Sequence, residues 1–124
     1  MIDPTLANEL KCALAHFIGT EKYYRIHPKA VLTDGTNYLA ETAGFYWLMD
    51  LYASHLSKID PDVESFTCLK LNRIGTGVLI VIDDGNDNQL AKQHVEYTDF
   101  PLASFIMYGV WSEQFWVLML TSEY

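Results

Sequence analysis

The sequence predicts an α+β domain in which two α-helices pack on a mainly antiparallel, curved sheet of about five strands, accompanied by an N-terminal hairpin. Half of the 124 residues are hydrophobic, which supplies a core and excludes a disordered chain. Helical spacing of apolar residues occurs in the first half, whereas the second half consists of apolar segments separated by turn residues. The length predicts a single domain over residues 1–124.

The first helix is predicted over about residues 4–18. Asp3 and Pro4 are typical of an N-cap and a first helical residue. Apolar residues follow at spacings of three and four, and Gly19 is a typical helix end.

A short strand and a hairpin are predicted next. Residues 23–26 are rich in aromatic and β-branched side chains, which favour a strand. The Asp34-Gly35 pair lies between the apolar segments 30–33 and 36–39. Asp-Gly is typical of a two-residue hairpin turn, so these segments are predicted to pair as strands.

The second helix, over about residues 44–56, is apolar around most of its circumference. Its polar positions Asp50, Ser54 and Ser57 form one narrow stripe. Such a helix is buried on more than one side, either within its own domain or against a second subunit.

Five strands are predicted after a polar linker at 57–65, over about residues 66–73, 77–83, 89–97, 104–111 and 115–121. The third alternates polar and apolar residues, so one of its faces is expected to contact water. The second and the fifth are apolar without alternation, which is typical of strands with both faces covered.

Two helices of this length cover about one face of a five-strand sheet, so a second layer is missing unless the sheet curls. Homodimerisation would supply that layer, and closed symmetric dimers are the commonest assemblies. A curled sheet would instead enclose a ligand pocket. We therefore expect a homodimer, with an unidentified protein as the alternative partner.

The charge and the N-terminal sequence exclude several classes. Eight Lys+Arg against 16 Asp+Glu leave a net charge of −8, so no direct nucleic-acid binding is expected. No basic segment followed by an apolar one opens the chain, which predicts a cytoplasmic protein. The apolar segment 100–122 contains Glu113 and turn residues, so two strands are favoured over a membrane span.

No cofactor or metal is predicted. The four histidines lack the spacing of a zinc site. The acidic segment 83–88 has Gly85 at the wrong position for an EF-hand and favours a hairpin turn. No nucleophile, base and orienting group can be assigned, so catalytic residues stay unknown and the sequence leans against an enzyme.

Asp50 is the most informative single residue, because a carboxylate on an apolar helix needs a partner or a cavity. It is either a structural residue bonded to the sheet or a functional carboxylate in a pocket between the second helix and the sheet. The candidate ligand or partner residues are Tyr38, Tyr46, Trp47, Asp50, Ser54, His55 and Asp99.

Several strings resemble, in content and order, a small bacterial family of unknown function that is frequent in cyanobacteria and on mobile DNA. The strings are Phe17-Ile18-Gly19-Thr20-Glu21, Tyr23-Tyr24-Arg25, Thr33-Asp34-Gly35, Tyr38-Leu39-Ala40-Glu41, Tyr46-Trp47-Leu48 with Asp50, Asp83-Asp84-Gly85-Asn86, Glu96 to Leu102, and Ser122-Glu123-Tyr124. The resemblance brings no activity, cofactor or catalytic residue. It implies that a subset of these positions matters, namely Thr33-Asp34-Gly35, Tyr46-Trp47, Asp50, Thr98 to Pro101 and Ser122 to Tyr124.

The leading functional interpretation is a non-enzymatic, homo-oligomeric interaction module. The first alternative is a small-ligand-binding or hydrolytic domain with its pocket around Asp50. The second alternative is an acidic inhibitor that imitates DNA, suggested by the net charge of −8.

Overall fold

Three helices pack on a seven-strand sheet in the computed structural model, which describes residues 4–98 and 100–124. The helices are α1 (Pro4–Leu14), α2 (Asp34–Ala43) and α3 (Tyr46–Leu56). The strands are β1 (Tyr24–His27), β2 (Ala30–Leu32), β3 (Phe66–Ile74), β4 (Gly77–Asp83), β5 (Gln89–Val95), β6 (Ser104–Trp111) and β7 (Trp116–Leu120). A short 3₁₀ helix follows at Thr121–Glu123.

The strand order across the sheet is β1-β2-β7-β6-β3-β4-β5. Neighbouring strands are antiparallel except β2 and β7, which pair in parallel with Val31 opposite Val117. The strand β3 therefore lies between two hairpin-connected pairs, β4 with β5 and β6 with β7. The parallel pairing joins the N-terminal β1–β2 hairpin to the C-terminal strand.

The predicted α+β class and the mostly antiparallel sheet are confirmed. All five predicted C-terminal strands are present, and most of their ends agree to within one residue. The sheet is neither closed nor strongly curled, so it does not enclose a helix or a pocket within itself. Curling of the sheet therefore does not provide the second layer that the apolar strands were predicted to need.

The predicted hairpin turn at Asp34-Gly35 is wrong, because these residues begin a third helix, α2. Thr33 is its N-cap: the Thr33 hydroxyl accepts from the Thr36 N–H, and the Thr36 hydroxyl accepts from the Thr33 N–H. This reciprocal cap satisfies two backbone donors at the helix start. Residues 36–39 are therefore helical, and β2 pairs with β1 and β7 instead.

The helix ends also differ from the prediction. The first helix ends at Leu14 rather than residue 18, because His16 and Phe17 donate to carbonyls three residues back and tighten the last turn. The helix predicted over 44–56 begins at Tyr46, because Gly44 is the left-handed C-cap of α2, with φ of 75°.

The core lies between the helices and one face of the sheet. Leu48, Tyr52 and Leu56 of α3 are completely buried. The Tyr52 hydroxyl lies 2.7 Å from Thr67 Oγ1, which in turn donates to the Gly109 carbonyl at 2.9 Å. A Cβ at Gly109 would lie 2.9 Å from the Tyr52 oxygen, so glycine there allows the helix to approach the sheet.

Candidate functional site

The strand pairing assigns each side chain to one of two sheet faces, because cross-strand partners point the same way. Leu69, Leu71 and Met107 belong to the core beneath the helices. Their chain neighbours point to the other side, which we call the open face. Its members are Arg25, Val31, Phe66, Cys68, Lys70, Leu79, Val81, Asp83, Lys92, His94, Ile106, Tyr108, Val110, Val117 and Met119.

The centre of the open face is apolar. Val31 and Val117 are buried by their neighbours on this face and stand outside the core cluster. Val110, Met119, Leu79 and Val81 are half-buried, and Ile106 is 45% exposed. Within the described part of the chain, no helix packs over these side chains, since all three helices contribute to the core on the other side.

An aromatic cluster lies toward one end of the open face. The Phe66 and Tyr108 ring centroids are 5.0 Å apart, and the Tyr124 ring stands edge-on to both at 5.4 Å. Tyr124 remains 72% exposed. Tyr124 therefore packs on Phe66 and Tyr108 at this end of the face, while most of its own side chain still contacts water.

One ion-pair cluster interrupts the apolar surface. Lys70 Nζ lies 3.0 Å from an oxygen of buried Asp83 and 3.0 Å from an oxygen of exposed Asp87. The hydrogen bonds to these carboxylates, Asp83 first, raise the pKa of the Lys70 ammonium. Burial raises the pKa of the adjacent Cys68 thiol, and the Asp83 charge adds to this effect. A protonated, buried thiol is unreactive, so this cluster offers no nucleophile.

A second polar cluster surrounds the N-terminus of α2. One Glu123 oxygen accepts from the Thr33 hydroxyl at 2.6 Å and from the Leu120 N–H at 2.9 Å. The other accepts from the Gly35 N–H at 3.1 Å. A Cβ at Gly35 would lie 2.6 Å from the Glu123 carboxylate. The carboxylate therefore binds the positive end of the helix at close range.

Asp34 attaches the segment before β1 to the same place. Its carboxylate accepts from the Glu21 N–H at 2.8 Å and from the Tyr24 hydroxyl at 3.2 Å. The Glu21 bond, and after it the Tyr24 bond, hold the Asp34 pKa below its ordinary value. The Gly-Thr-Glu, Thr-Asp-Gly and Ser-Glu-Tyr strings thus meet at one structural junction.

The structure separates the candidate residues of α3. Asp50 and Ser54 are exposed, so the predicted pocket around Asp50 between this helix and the sheet is wrong. The predicted polar stripe is present, but solvent satisfies it and the carboxylate needs no buried partner. His55 is hydrogen-bonded to Gln93 of β5 at 2.8 Å, which attaches α3 to the sheet edge.

The remaining candidates lie around α2 or outside the described residues. The exposed Tyr46 donates to Asn37 Oδ1 at 3.1 Å. The half-buried Trp47 stands edge-on to the Phe45 ring. Tyr38 lines a cleft between α1 and α2. Asp99 lies outside the described residues.

The sequence did not reveal the open-face residues, because both faces of β4, β6 and β7 are apolar and the pattern does not say which face the helices cover.

Residues 4–98 and 100–124 contain no group of three or more His, Cys, Asp or Glu side chains arranged to hold a metal ion. No helix among them combines the length and apolarity needed to cross a membrane.

Over residues 4–98 and 100–124 the chain forms a two-layer α+β domain whose three helices all pack on the same side of the sheet. No curated protein and no solved structure matches the chain. Residues 8–124 match the model of DUF6876, a family of unknown function, and the chain belongs to that family. The resemblance to a family of unknown function is thereby confirmed.

Proposed function

We propose that the protein is a non-enzymatic interaction module that acts as a homodimer joined through the open face. The observation that carries the proposal is the apolar centre of this face, where Ile106 is 45% exposed and Val110 and Val81 are half-buried, and which no helix of the described residues covers. Apolar sheet faces gain free energy when a second layer removes them from water. An identical open face offers the same apolar width and length.

The area of the open face suits a stable dimer. Five strands, β2 to β4 in sheet order, span about 24 Å, and their lengths of three to nine residues average about 21 Å, a flat footprint of about 500 Å². Side chains make the accessible area larger than the footprint. Stable interfaces bury about 800 Å² per partner, so one open face is of the required size.

The charges at its two ends favour a second copy as the occupant. Arg25, Val31, Val117, Val110 and Phe66 form one row across the sheet. Arg25 is the positive end of this row, stacked over the Phe115 ring. The acidic turn at 83–88 lies at the other end of the row. It adjoins Phe66, because a Cβ at Gly85 would contact the Phe66 ring.

A two-fold axis parallel to the strands, between β6 and β7, makes these ends complementary. In the sheet, β1 and β4 lie five strand spacings, about 24 Å, apart, and the axis lies midway between them. The rotation therefore places β1 of one copy over β4 of the other. Arg25 of each copy then faces the acidic turn of its mate. The same axis brings Ile106 close to its symmetry mate, so the interface is apolar at its centre and charged at its rim.

The proposal is tested by measuring mass in solution by light scattering and sedimentation equilibrium. We expect the wild-type chain at twice the monomer mass of 14.2 kDa. Ile106→Lys should shift the protein to monomer, because the axis sets two like charges against each other in an apolar contact. Its side chain is already 45% exposed in one copy, so the variant should fold, as circular dichroism will show.

The matched control is Ile18→Lys. Ile18 is 82% exposed and lies in the loop after α1, away from the sheet, so this variant should remain a dimer. A wild-type chain that is still monomeric at about 100 µM, and so has a dimer Kd well above that concentration, would overturn the proposal. A dimer that Ile18→Lys dissociates and Ile106→Lys does not would overturn the choice of surface. A monomeric wild type would favour an unidentified protein as the partner.

A further inference from the structure

We propose that the cleft between α1 and the C-terminal half of α2 binds a small aromatic amine. The cleft has a volume of about 270 Å³. It lies on the helix side of the sheet, so it is separate from the open face and does not depend on dimerisation. The described residues that line it are Glu9, Leu10, Tyr38, Thr42, Ala43, Phe45 and Pro101.

The floor of the cleft is apolar and fixed. Leu10, Phe45 and Pro101 are buried. The Phe45 ring packs on Phe100, with centroids 4.6 Å apart. Arg73 of β3 holds this segment by donating from Nη2 to the Phe100 carbonyl. A rigid apolar floor with an aromatic ring favours a flat aromatic ligand, which can pack edge-on or offset against Phe45.

The volume limits the size of that ligand. A cavity of about 150 Å³ lined by apolar side chains is known to hold benzene. At the packing density of protein interiors, about 0.74, a cleft of 270 Å³ accommodates about 200 Å³ of van der Waals volume. This corresponds to one or two rings with a short side chain.

The polar groups at the rim select an amine. Glu9, Tyr38 and Thr42 make no hydrogen bond or ion pair with any residue that the structure describes, so their polar atoms are available to a ligand. A few converging polar groups around an apolar floor are typical of small-molecule sites. The Glu9 carboxylate attracts an ammonium and repels a carboxylate, and the net charge of −8 acts in the same direction.

The probe is tryptamine, compared with two molecules of nearly the same shape. Tryptophol carries a hydroxyl in place of the ammonium, and indole-3-acetate carries a carboxylate. Binding is measured by calorimetry and by amide shifts in NMR spectra. We expect tryptamine to bind with a Kd below about 1 mM, tryptophol about fivefold more weakly, as for loss of one partly exposed ion pair, and indole-3-acetate most weakly. Shifted amides should cluster at residues 9–10, 38–45 and 101.

Two variants and a control separate charge from shape. Glu9→Gln should weaken tryptamine about fivefold and leave tryptophol unchanged. Ala43→Leu should weaken both, because the larger side chain occupies the cleft. Asp50→Asn removes the same charge from the exposed side of α3 and should change nothing.

The proposal is overturned if none of the three probes binds below about 10 mM. It is equally overturned if the carboxylate binds as well as the amine, or if the shifted amides lie elsewhere. Should Ala43→Leu fail to fold, the amide map and Glu9→Gln decide alone. Because Ile106→Lys is predicted to be monomeric, unchanged tryptamine binding by that variant would separate this site from the dimer.

Discussion

Removing the Glu123 carboxylate is expected to destabilise the whole domain, because this side chain joins the C-terminal segment to the start of α2. In Glu123→Ala the Gly35 and Leu120 N–H groups lose their hydrogen-bond acceptor. The Thr33 hydroxyl retains contacts with Thr36 and with the Leu118 carbonyl, so it is not left alone. The loss therefore concerns two backbone donors and one charge at a helix N-terminus.

The magnitude follows from these groups. An unsatisfied buried donor costs about 1–3 kcal/mol, and a carboxylate at a helix N-terminus contributes about 0.3–1 kcal/mol. Glu123 is only half-buried, so water can reach the vacated site and the lower values apply. We expect the free energy of unfolding to fall by about 2 kcal/mol. With a urea m value near 2 kcal/mol/M, the midpoint should fall by about 1 M.

The assay is urea unfolding at fixed protein concentration, because dimer dissociation would couple to unfolding. Glu21→Gln is the matched control: it removes a carboxylate near the same helix end but keeps the Glu21 N–H bond to Asp34. Glu123→Gln should lie between the two, since its amide oxygen still accepts. If Glu123→Ala moves the midpoint no further than Glu21→Gln does, the reasoning fails.

Two more predictions concern single ionisable groups. The pKa of Asp34 is lower in the folded chain than its ordinary value, so its contribution to stability is present above that value and is lost as pH falls through the folded pKa. The stability difference between wild type and Asp34→Asn should therefore shrink between pH 5 and pH 2, and a constant difference in urea titrations would contradict this. A thiol reagent should modify exposed Cys12 in the native chain but reach buried Cys68 only on unfolding. Two native reactive thiols, or any in Cys12→Ser, would show that Cys68 is not buried.

The C-terminal strands could be predicted because their signal is local. Turn residues end each apolar segment, and Gly75 and Gly85 adopt the positive φ that tight turns need. The N-terminal half was harder, because Asp34-Gly35 suits two structures. The deciding interaction is the Thr33 cap with its distant partner Glu123, ninety residues away in the chain, and no local pattern contains it.

The candidate site was less predictable than the fold for a related reason. The pattern of α3 correctly predicted a polar stripe. Because that stripe is exposed, water solvates Asp50, and its carboxylate needs neither a partner nor a cavity. The parallel pairing of β2 with β7 joins segments about 86 residues apart, and it determines where Arg25 lies on the sheet. The positive end of the open face therefore depends on a contact that short-range periodicity does not report.

The contrast between the side chains of β5 and β7 also supports the proposed dimer. At the sheet edge, β5 places Lys92 and His94 on the open face, the polar side chains expected where a strand meets water. In the interior, β7 places Val117 and Met119 on the same face. A chain that exposed this face permanently would be expected to alternate in both strands. Since it alternates only at the edge, the apolar centre is better explained by a second layer, and the charged edge strand becomes the rim of that contact.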